Sequence, residues 1–129
     1  MPHIIVEYSS NIKAEAHIPE LLHKATQTLI DQGGVFPIGG IRARAIELTE
    51  YYVADGEEDY AFVHTNLKIA VGRDEATKKK VCDELFEMLK THFAELFSNR
   101  YLALSLELTE LNDKPEYRYN NIHARFKKS

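Results

Sequence analysis

Pro2 is the residue of this chain with the most unusual chemical potential. Removal of Met1 would leave a chain that begins with a free secondary amine, directly before the strand-like residues 3–8. Such an amine can accept a proton and return it, whereas proline elsewhere in a chain is a tertiary amide without an N–H. The sequence therefore predicts a general base at Pro2 if Met1 is removed. The alternative interpretation is that Pro2 merely follows the initiator and exposes a small N-terminus.

The other reactive side chains indicate neither a metal site nor a second nucleophile. The six histidines show no close pair at ligand spacing, and only one cysteine accompanies them. Cys82 lies on or beside an apolar helical stripe, where a buried and inert thiol is the expected role. We expect His64, on the mixed face of a predicted strand, to be a hydrogen-bonded structural residue. We accordingly predict that no metal ion is bound.

Composition restricts the kinds of partner that the chain can bind. The 129 residues fit a single domain, 1–129, which is large enough to fold without a disulfide or metal. The formal net charge of −4 offers no general attraction for nucleic acid or an anionic membrane. No segment is apolar enough to span a bilayer, and the single cysteine is typical of a reducing compartment. We expect a cytoplasmic protein that captures an anionic ligand through locally placed cations.

The second half of the sequence predicts a strand, a helix and a strand. Residues 61–71 carry apolar side chains at alternate positions. Apolar residues at three- and four-residue steps then predict one amphipathic helix over about 74–97, with Asp74 as its N-cap. The next strand, 101–110, places four leucines on one face that must be buried: Leu102, Leu104, Leu106 and Leu108.

The first half repeats this order of elements. A strand is predicted at 3–9, a helical stripe runs over 18–29, and a second strand follows at about 41–53. Pro19 suits the first turn of the helix, and Gly33-Gly34 supply its stop. The repeat rests on the order of elements rather than on residue identity.

The repeat predicts an α+β fold. Two tandem β-α-β units, at about 2–54 and 60–111, would form one four-stranded sheet with two helices on one face. The other face would be partly apolar and uncovered, which favours assembly. A C-terminal tail, 112–129, has no clear period, although Ile122 and Phe126 could anchor it to a neighbour.

Several short stretches spread along the chain are far more specific than Pro2 alone. They lie at 1–7, 36–37, 40–44, 54–56, 59–64, 67–69, 72–73, 90–94 and 120–124, and read MPHIIVE, FP, GIRAR, ADG, DYAFVH, LKI, GR, KTHFA and NNIHA. With these residues the chain resembles the 5-carboxymethyl-2-hydroxymuconate isomerase family of the tautomerase superfamily. The resemblance covers nearly the whole chain.

The resemblance implies a homotrimer of double β-α-β subunits with sites at the subunit boundaries. The catalytic proline of the family falls on Pro2, and its two substrate-binding arginines fall on Arg42 and Arg73. Arg44 lies two residues beyond Arg42 on the same strand and faces the same way, so it is the alternative to Arg42. Because only a true N-terminus offers a free proline amine, one site per subunit is expected.

The implied reaction moves a proton from the 2-hydroxyl of a dienol to carbon five. It converts 5-carboxymethyl-2-hydroxymuconate to its 2-oxo-3-ene isomer in the catabolism of homoprotocatechuate, an aromatic compound. No redox change or group transfer occurs, so no cofactor is needed. Two alternatives stay open: a tautomerase of another enol acid such as phenylpyruvate, and a non-catalytic oligomeric module that binds a small molecule. A binding module could keep Met1, whereas an enzyme that uses the Pro2 amine could not.

Overall fold

Four strands and three α-helices make up the regular structure of the part of the chain that is described. The structure is a computed structural model, and it describes residues 1–112 and 117–127. The elements are β1 (His3–Ser9), α1 (Ile18–Ile30), β2 (Arg42–Leu48), β3 (Tyr60–Ala70), α2 (Glu75–His92), α3 (Ala94–Asn99) and β4 (Tyr101–Leu111). Two short 3₁₀ segments also matter below: the glycine turn (Ile38–Gly40) and the tail turn (His123–Phe126).

The strands form one mixed sheet in the order β2-β1-β3-β4. β1 pairs in parallel with β2, and β3 pairs in parallel with β4. The two parallel pairs meet where β1 and β3 run antiparallel, with His3 opposite Lys68. Each parallel pair is bridged by helical structure, as parallel strands require. The predicted α+β fold of two β-α-β units is thereby confirmed.

The core lies between one face of the sheet and the two long helices. Ile4, Val6 and Tyr8 of β1 are buried beside the register partners that β3 contributes to the same face. The helices bury matching stripes against them, which are Leu21, Ala25 and Leu29 in α1 and Val81, Leu85 and Leu89 in α2. Both helices therefore cover the same face, and the alternate residues of each strand form an open face.

The predicted single helix over 74–97 is wrong, because the chain breaks at Phe93. Phe93 adopts φ −99° and ψ 13°, which ends α2 and begins α3. The break leaves Phe93 and Leu96 both in the core, so the apolar spacing continues and periodicity alone does not reveal it. The predicted N-cap is confirmed, since the Asp74 carboxylate accepts a 2.8 Å hydrogen bond from the backbone N–H of Thr77.

The second strand is also shorter than predicted, ending at Leu48 rather than near residue 53. Its last pairing joins Leu48 to Ser9, the final residue of β1. Beyond this point β2 has no strand beside it, because its other side is an edge of the sheet. The chain then turns through Ala54 (φ 52°) and Gly56 (φ 70°) before β3 begins. The length of β1 therefore sets the length of β2.

The leucine face of β4 also differs from expectation, and the tail makes a contact that was not predicted. The four leucines pack against the core but are only partly buried, because β4 is the other edge of the sheet. Ile122 and Phe126 are 46% and 43% exposed, and their anchoring of the tail to a neighbour stays a prediction. Within this chain, His123 contacts the glycine turn. Residues 113–116 and 128–129 of the predicted tail lie outside the described residues.

Candidate active site

One end of the sheet brings together the residues singled out in the sequence. Pro2 directly precedes β1, Arg42 is the first residue of β2, and Arg73 follows β3. Because β3 runs antiparallel to β1, the start of β1 and the end of β3 lie at the same sheet end. The start of β2 joins them through its parallel register with β1. We call this region the proline end.

Pro2 is fixed in place by its neighbour on β2. Its carbonyl accepts a 3.0 Å hydrogen bond from the backbone N–H of Arg42, one residue before the regular ladder begins. Pro2 is buried, whereas Met1 is only partly buried. With Met1 attached, the proline nitrogen is an amide nitrogen without basicity. The sheet thus fixes the position of Pro2 through this hydrogen bond, and the group attached to the proline nitrogen decides whether it is a base.

Arg42 curls back over the glycine turn. Its Nη1 donates to the carbonyl of Gly39 at 2.8 Å and to the carbonyl of Ile41 at 3.1 Å. A guanidinium has five N–H donors, and both of these bonds use one nitrogen. The side chain is therefore anchored at one corner while it remains partly exposed beside Pro2.

Arg73 is held in place by two backbone carbonyls and an aromatic ring. Its Nη1 donates to the carbonyl of Ala70 at 3.1 Å, and its Nη2 donates to the carbonyl of Val35 at 3.3 Å. Its Cζ lies 4.7 Å from the centre of the Phe36 ring, which is 2% exposed. A guanidinium packed on an aromatic ring has a restricted orientation. Phe36 therefore helps to fix the direction in which Arg73 presents its remaining donors.

Arg44 lies on the open face of the sheet beside His3. Its Nη1 is 3.0 Å from His3 Nδ1, a contact in which the neutral imidazole accepts from the guanidinium. Burial lowers the pKa of His3, and the positive charges of Arg44, the N-terminus, Lys68 and Arg42 lower it further. Arg44 therefore shares a face with Arg42, as the spacing of two predicts, but its side chain bonds to a different partner.

The opposite end of the sheet, where the second β-α-β unit begins, also carries two cations, but they have different partners. Arg100, just before β4, lies near the position that Arg42 takes in the first unit, and it donates to Asp59 at 2.7 Å and to Glu15 at 3.0 Å. Lys13, near the counterpart position of Arg73, lies 3.0 Å from Glu47. Carboxylates of the protein itself thus bind the cations at this end. One site per subunit stays a prediction.

The contacts of His64 and the environment of Cys82 support structural rather than catalytic roles for these two side chains. His64 Nδ1 lies 2.6 Å from Ser105 Oγ and its Nε2 lies 2.9 Å from Glu107, so the ring is a structural residue, as predicted. Burial raises the pKa of the Cys82 thiol, which disfavours the reactive thiolate. Across residues 1–112 and 117–127, no three His, Cys, Asp or Glu side chains form a group that could hold a metal ion. No helix in these ranges is long and apolar enough to cross a membrane.

Two contacts at the proline end were not predicted from the sequence. Phe36 packs under Arg73, and His123 lies on the glycine turn. Both residues belong to stretches that carry the family resemblance, FP and NNIHA. Sequence spacing gives no reason to pair residue 123 with residue 39, because this contact joins segments that are far apart along the chain.

The sheet order and the two β-α-β units define a tautomerase-superfamily fold. A solved structure described as "W0 fused 4-OT wild type symmetric trimer" matches with a TM-score of 0.60, covering 85% of this chain and 87% of that chain. The two sequences are only 16% identical, so this likeness concerns the fold alone.

Sequence relationship is much closer within one family of this superfamily. The profile of the 5-carboxymethyl-2-hydroxymuconate isomerase family matches residues 2–126. A 5-carboxymethyl-2-hydroxymuconate Delta-isomerase of Escherichia coli is 46% identical over 127 residues, covering 98% of this chain and 100% of the relative. The crystal structure of a 5-carboxymethyl-2-hydroxymuconate isomerase from Deinococcus radiodurans R1 is 47% identical, with a TM-score of 0.94 and coverage of 98% and 95%. The chain belongs to the 5-carboxymethyl-2-hydroxymuconate isomerase family.

Proposed function

We propose that this protein is a 5-carboxymethyl-2-hydroxymuconate Delta-isomerase of aromatic catabolism that uses the amine of Pro2 as its base. One observation carries the proposal: the fold brings Pro2, Arg42 and Arg73 to one sheet end in a chain that belongs to this isomerase family. The reaction is a proton transfer within one molecule. It asks for a base that accepts a proton at one atom and returns it a few ångströms away.

The environment of Pro2 suits that base. An ordinary α-amine has a pKa of about 8 and is mostly protonated at neutral pH. The burial of Pro2 disfavours the charged amine, and the guanidinium groups of Arg42 and Arg73 repel it, so both effects lower its pKa. The amine is then neutral near pH 7, takes the proton of the 2-hydroxyl and delivers it to carbon five. Positioned proton transfer of this kind accelerates a reaction by about 10²- to 10⁴-fold.

The arginines supply the charge complement of the substrate. The substrate carries three carboxylates, whereas the protein has a formal net charge of −4. A planar guanidinium binds a carboxylate or a developing enolate oxygen through paired hydrogen bonds. Arg73 and Arg42 lie at the same end of the sheet as Pro2 and bind these oxygens, which stabilises the charge that builds during enolisation. Arg44 is the alternative to Arg42. If Arg44 binds the substrate, its guanidinium has to leave its contact with His3.

We further propose that the protein acts as a homotrimer in the cytoplasm. The open face supports assembly because it exposes apolar side chains among its charges, with Ile46 43% exposed at the β2 edge. The fused 4-OT structure with the same fold is described as a symmetric trimer. A mass of three chains by sedimentation equilibrium is the expected result, and a monomer at working concentration contradicts this part of the proposal.

The test follows the ultraviolet change of 5-carboxymethyl-2-hydroxymuconate. Protein whose start at Pro2 has been verified by intact mass is compared with the Pro2→Ala variant processed in the same way. We expect conversion by the wild type and a loss of at least about 100-fold in kcat for the variant. Absence of conversion by the processed wild type refutes the activity. Equal kcat in both proteins refutes the role of Pro2.

A further inference from the structure

We infer that His123, carried by the tail turn, is a further substrate-contacting residue of the proline end. The inference rests on the proposed function, because it assigns a residue to that same site. Its basis is the close approach of the tail to the glycine turn. A Cβ built on Gly39 would lie 2.8 Å from the His123 Cα and 2.9 Å from its Nδ1. Only a residue without a side chain leaves room for this contact.

The His123 ring lies beside the start of the chain. A Cβ on Gly40 would meet His123 Cε1 at 3.3 Å, His123 Nε2 at 3.6 Å and Met1 Cγ at 3.7 Å. The imidazole and the Met1 side chain thus lie over the same glycine. Removal of Met1 vacates the space next to the Pro2 nitrogen, and this is where the reacting atoms of a substrate must lie. A ligand that fills this space meets the His123 ring.

Local hydrogen bonds hold His123 in position. The Asn120 side-chain oxygen accepts from the backbone N–H groups of Ile122 at 3.0 Å and His123 at 3.2 Å. The backbone N–H of Arg125 donates to the carbonyl of Ile122 at 3.0 Å and closes the turn. The tail turn therefore presents its histidine toward the glycine turn by its own geometry.

The chemistry of the substrate calls for such a residue. Three carboxylates have to be matched, and Arg42 and Arg73 each provide one guanidinium. The Gly39 carbonyl that accepts from Arg42 belongs to the same residue that His123 contacts, so the imidazole and this guanidinium converge on one turn. An imidazole N–H donates a hydrogen bond to a carboxylate. His123 binds the third carboxylate of the substrate.

A purely structural role for His123, as a support for the glycine turn, makes a different prediction. His123→Phe keeps a flat ring on the turn but removes the N–H donor, whereas His123→Asn removes the ring and keeps a donor. A hydrogen bond to a charged group makes the phenylalanine variant the weaker binder. A supporting role makes the asparagine variant the weaker one. His23→Phe, an exposed histidine of α1, is the matched control.

The experiment measures the dissociation constant of 5-carboxymethyl-2-hydroxymuconate by calorimetry in the Pro2→Ala background, where we expect turnover to be at least about 100-fold slower than in the wild type. We expect about 10- to 100-fold weaker binding with His123→Phe, a smaller loss with His123→Asn, and no change with His23→Phe. Binding that His123→Phe leaves intact overturns the inference, as do the reverse order of the two variants and undetectable binding in the background protein. Turnover by the wild type is scored separately. A protein that binds in this pattern without converting the substrate refutes the proposed function alone.

Discussion

Replacing Arg73 with lysine tests whether the geometry of the guanidinium matters beyond its charge. Arg73 uses two of its five N–H donors on the carbonyls of Ala70 and Val35, which leaves three for a substrate. A lysine ammonium has three donors, and it would keep one if it satisfied the same carbonyls. A paired contact with a carboxylate uses two of the three arginine donors, so the lysine variant loses one charge-assisted hydrogen bond to the substrate, about 1.5–3 kcal/mol. Since 1.4 kcal/mol is a factor of ten, kcat/KM should fall about 10- to 100-fold.

The assay is steady-state turnover of 5-carboxymethyl-2-hydroxymuconate, followed by ultraviolet absorbance. Arg100→Lys is the matched control, because Arg100 also donates to groups of the protein but lies at the opposite end of the sheet. We expect its kcat/KM to stay near that of the wild type, even if its urea midpoint falls. A kcat/KM within twofold of the wild type for Arg73→Lys refutes the donor count. An equal loss in both variants would show that a general effect on the fold is responsible.

Two further predictions concern stability. Asp74→Ala removes the N-cap bond to Thr77 and should lower the free energy of unfolding by about 1 kcal/mol in urea, whereas Asp83→Ala, which loses only an exposed pair with Lys79, should change it by less than about 0.5 kcal/mol. A smaller effect at Asp74 than at Asp83 would contradict the capping argument. Burial lowers the pKa of His92 from its ordinary value of 6.5, so the unfolded chain binds the proton more tightly and stability falls as the pH drops below 6.5. His92→Gln should lose less stability between pH 7.5 and about 5.5 than the wild type, and an unchanged loss would exclude His92 as a source.

The regular elements were predictable because alternating and helical apolar patterns report directly on burial. The leucines of β4 and the alternate residues of β3 identify their strands, and Asp74 is a correct N-cap. The break at Phe93 was not predictable, since the buried stripe continues across it. The end of β2 was not predictable either, because it depends on the length of β1 rather than on any residue of β2.

The residues of the candidate site could also be identified from local sequence, but their contacts could not, because these depend on distant segments of the chain. Pro2 is chemically distinctive in the sequence itself, the family resemblance implies Arg42 and Arg73, and the strand spacing adds Arg44 as the alternative to Arg42. The orientation of each arginine depends on carbonyls and a ring that other segments provide, as with Val35 and Phe36 around Arg73. The approach of His123 to Gly39 is entirely tertiary. Local pattern therefore identifies which residues are reactive, and the fold determines what each one contacts.

The two ends of the sheet differ in whether their cations are paired with carboxylates of the protein. At the proline end, Arg42, Arg44 and Lys68 surround the start of β1. At the other end, Arg100 is bound by carboxylates beside the acidic loop 55–59. A trianionic molecule that approaches this net-acidic protein needs such locally placed cations to be attracted. We therefore expect the cations of the proline end to attract an anionic substrate, and the association rate should fall as added salt screens their field.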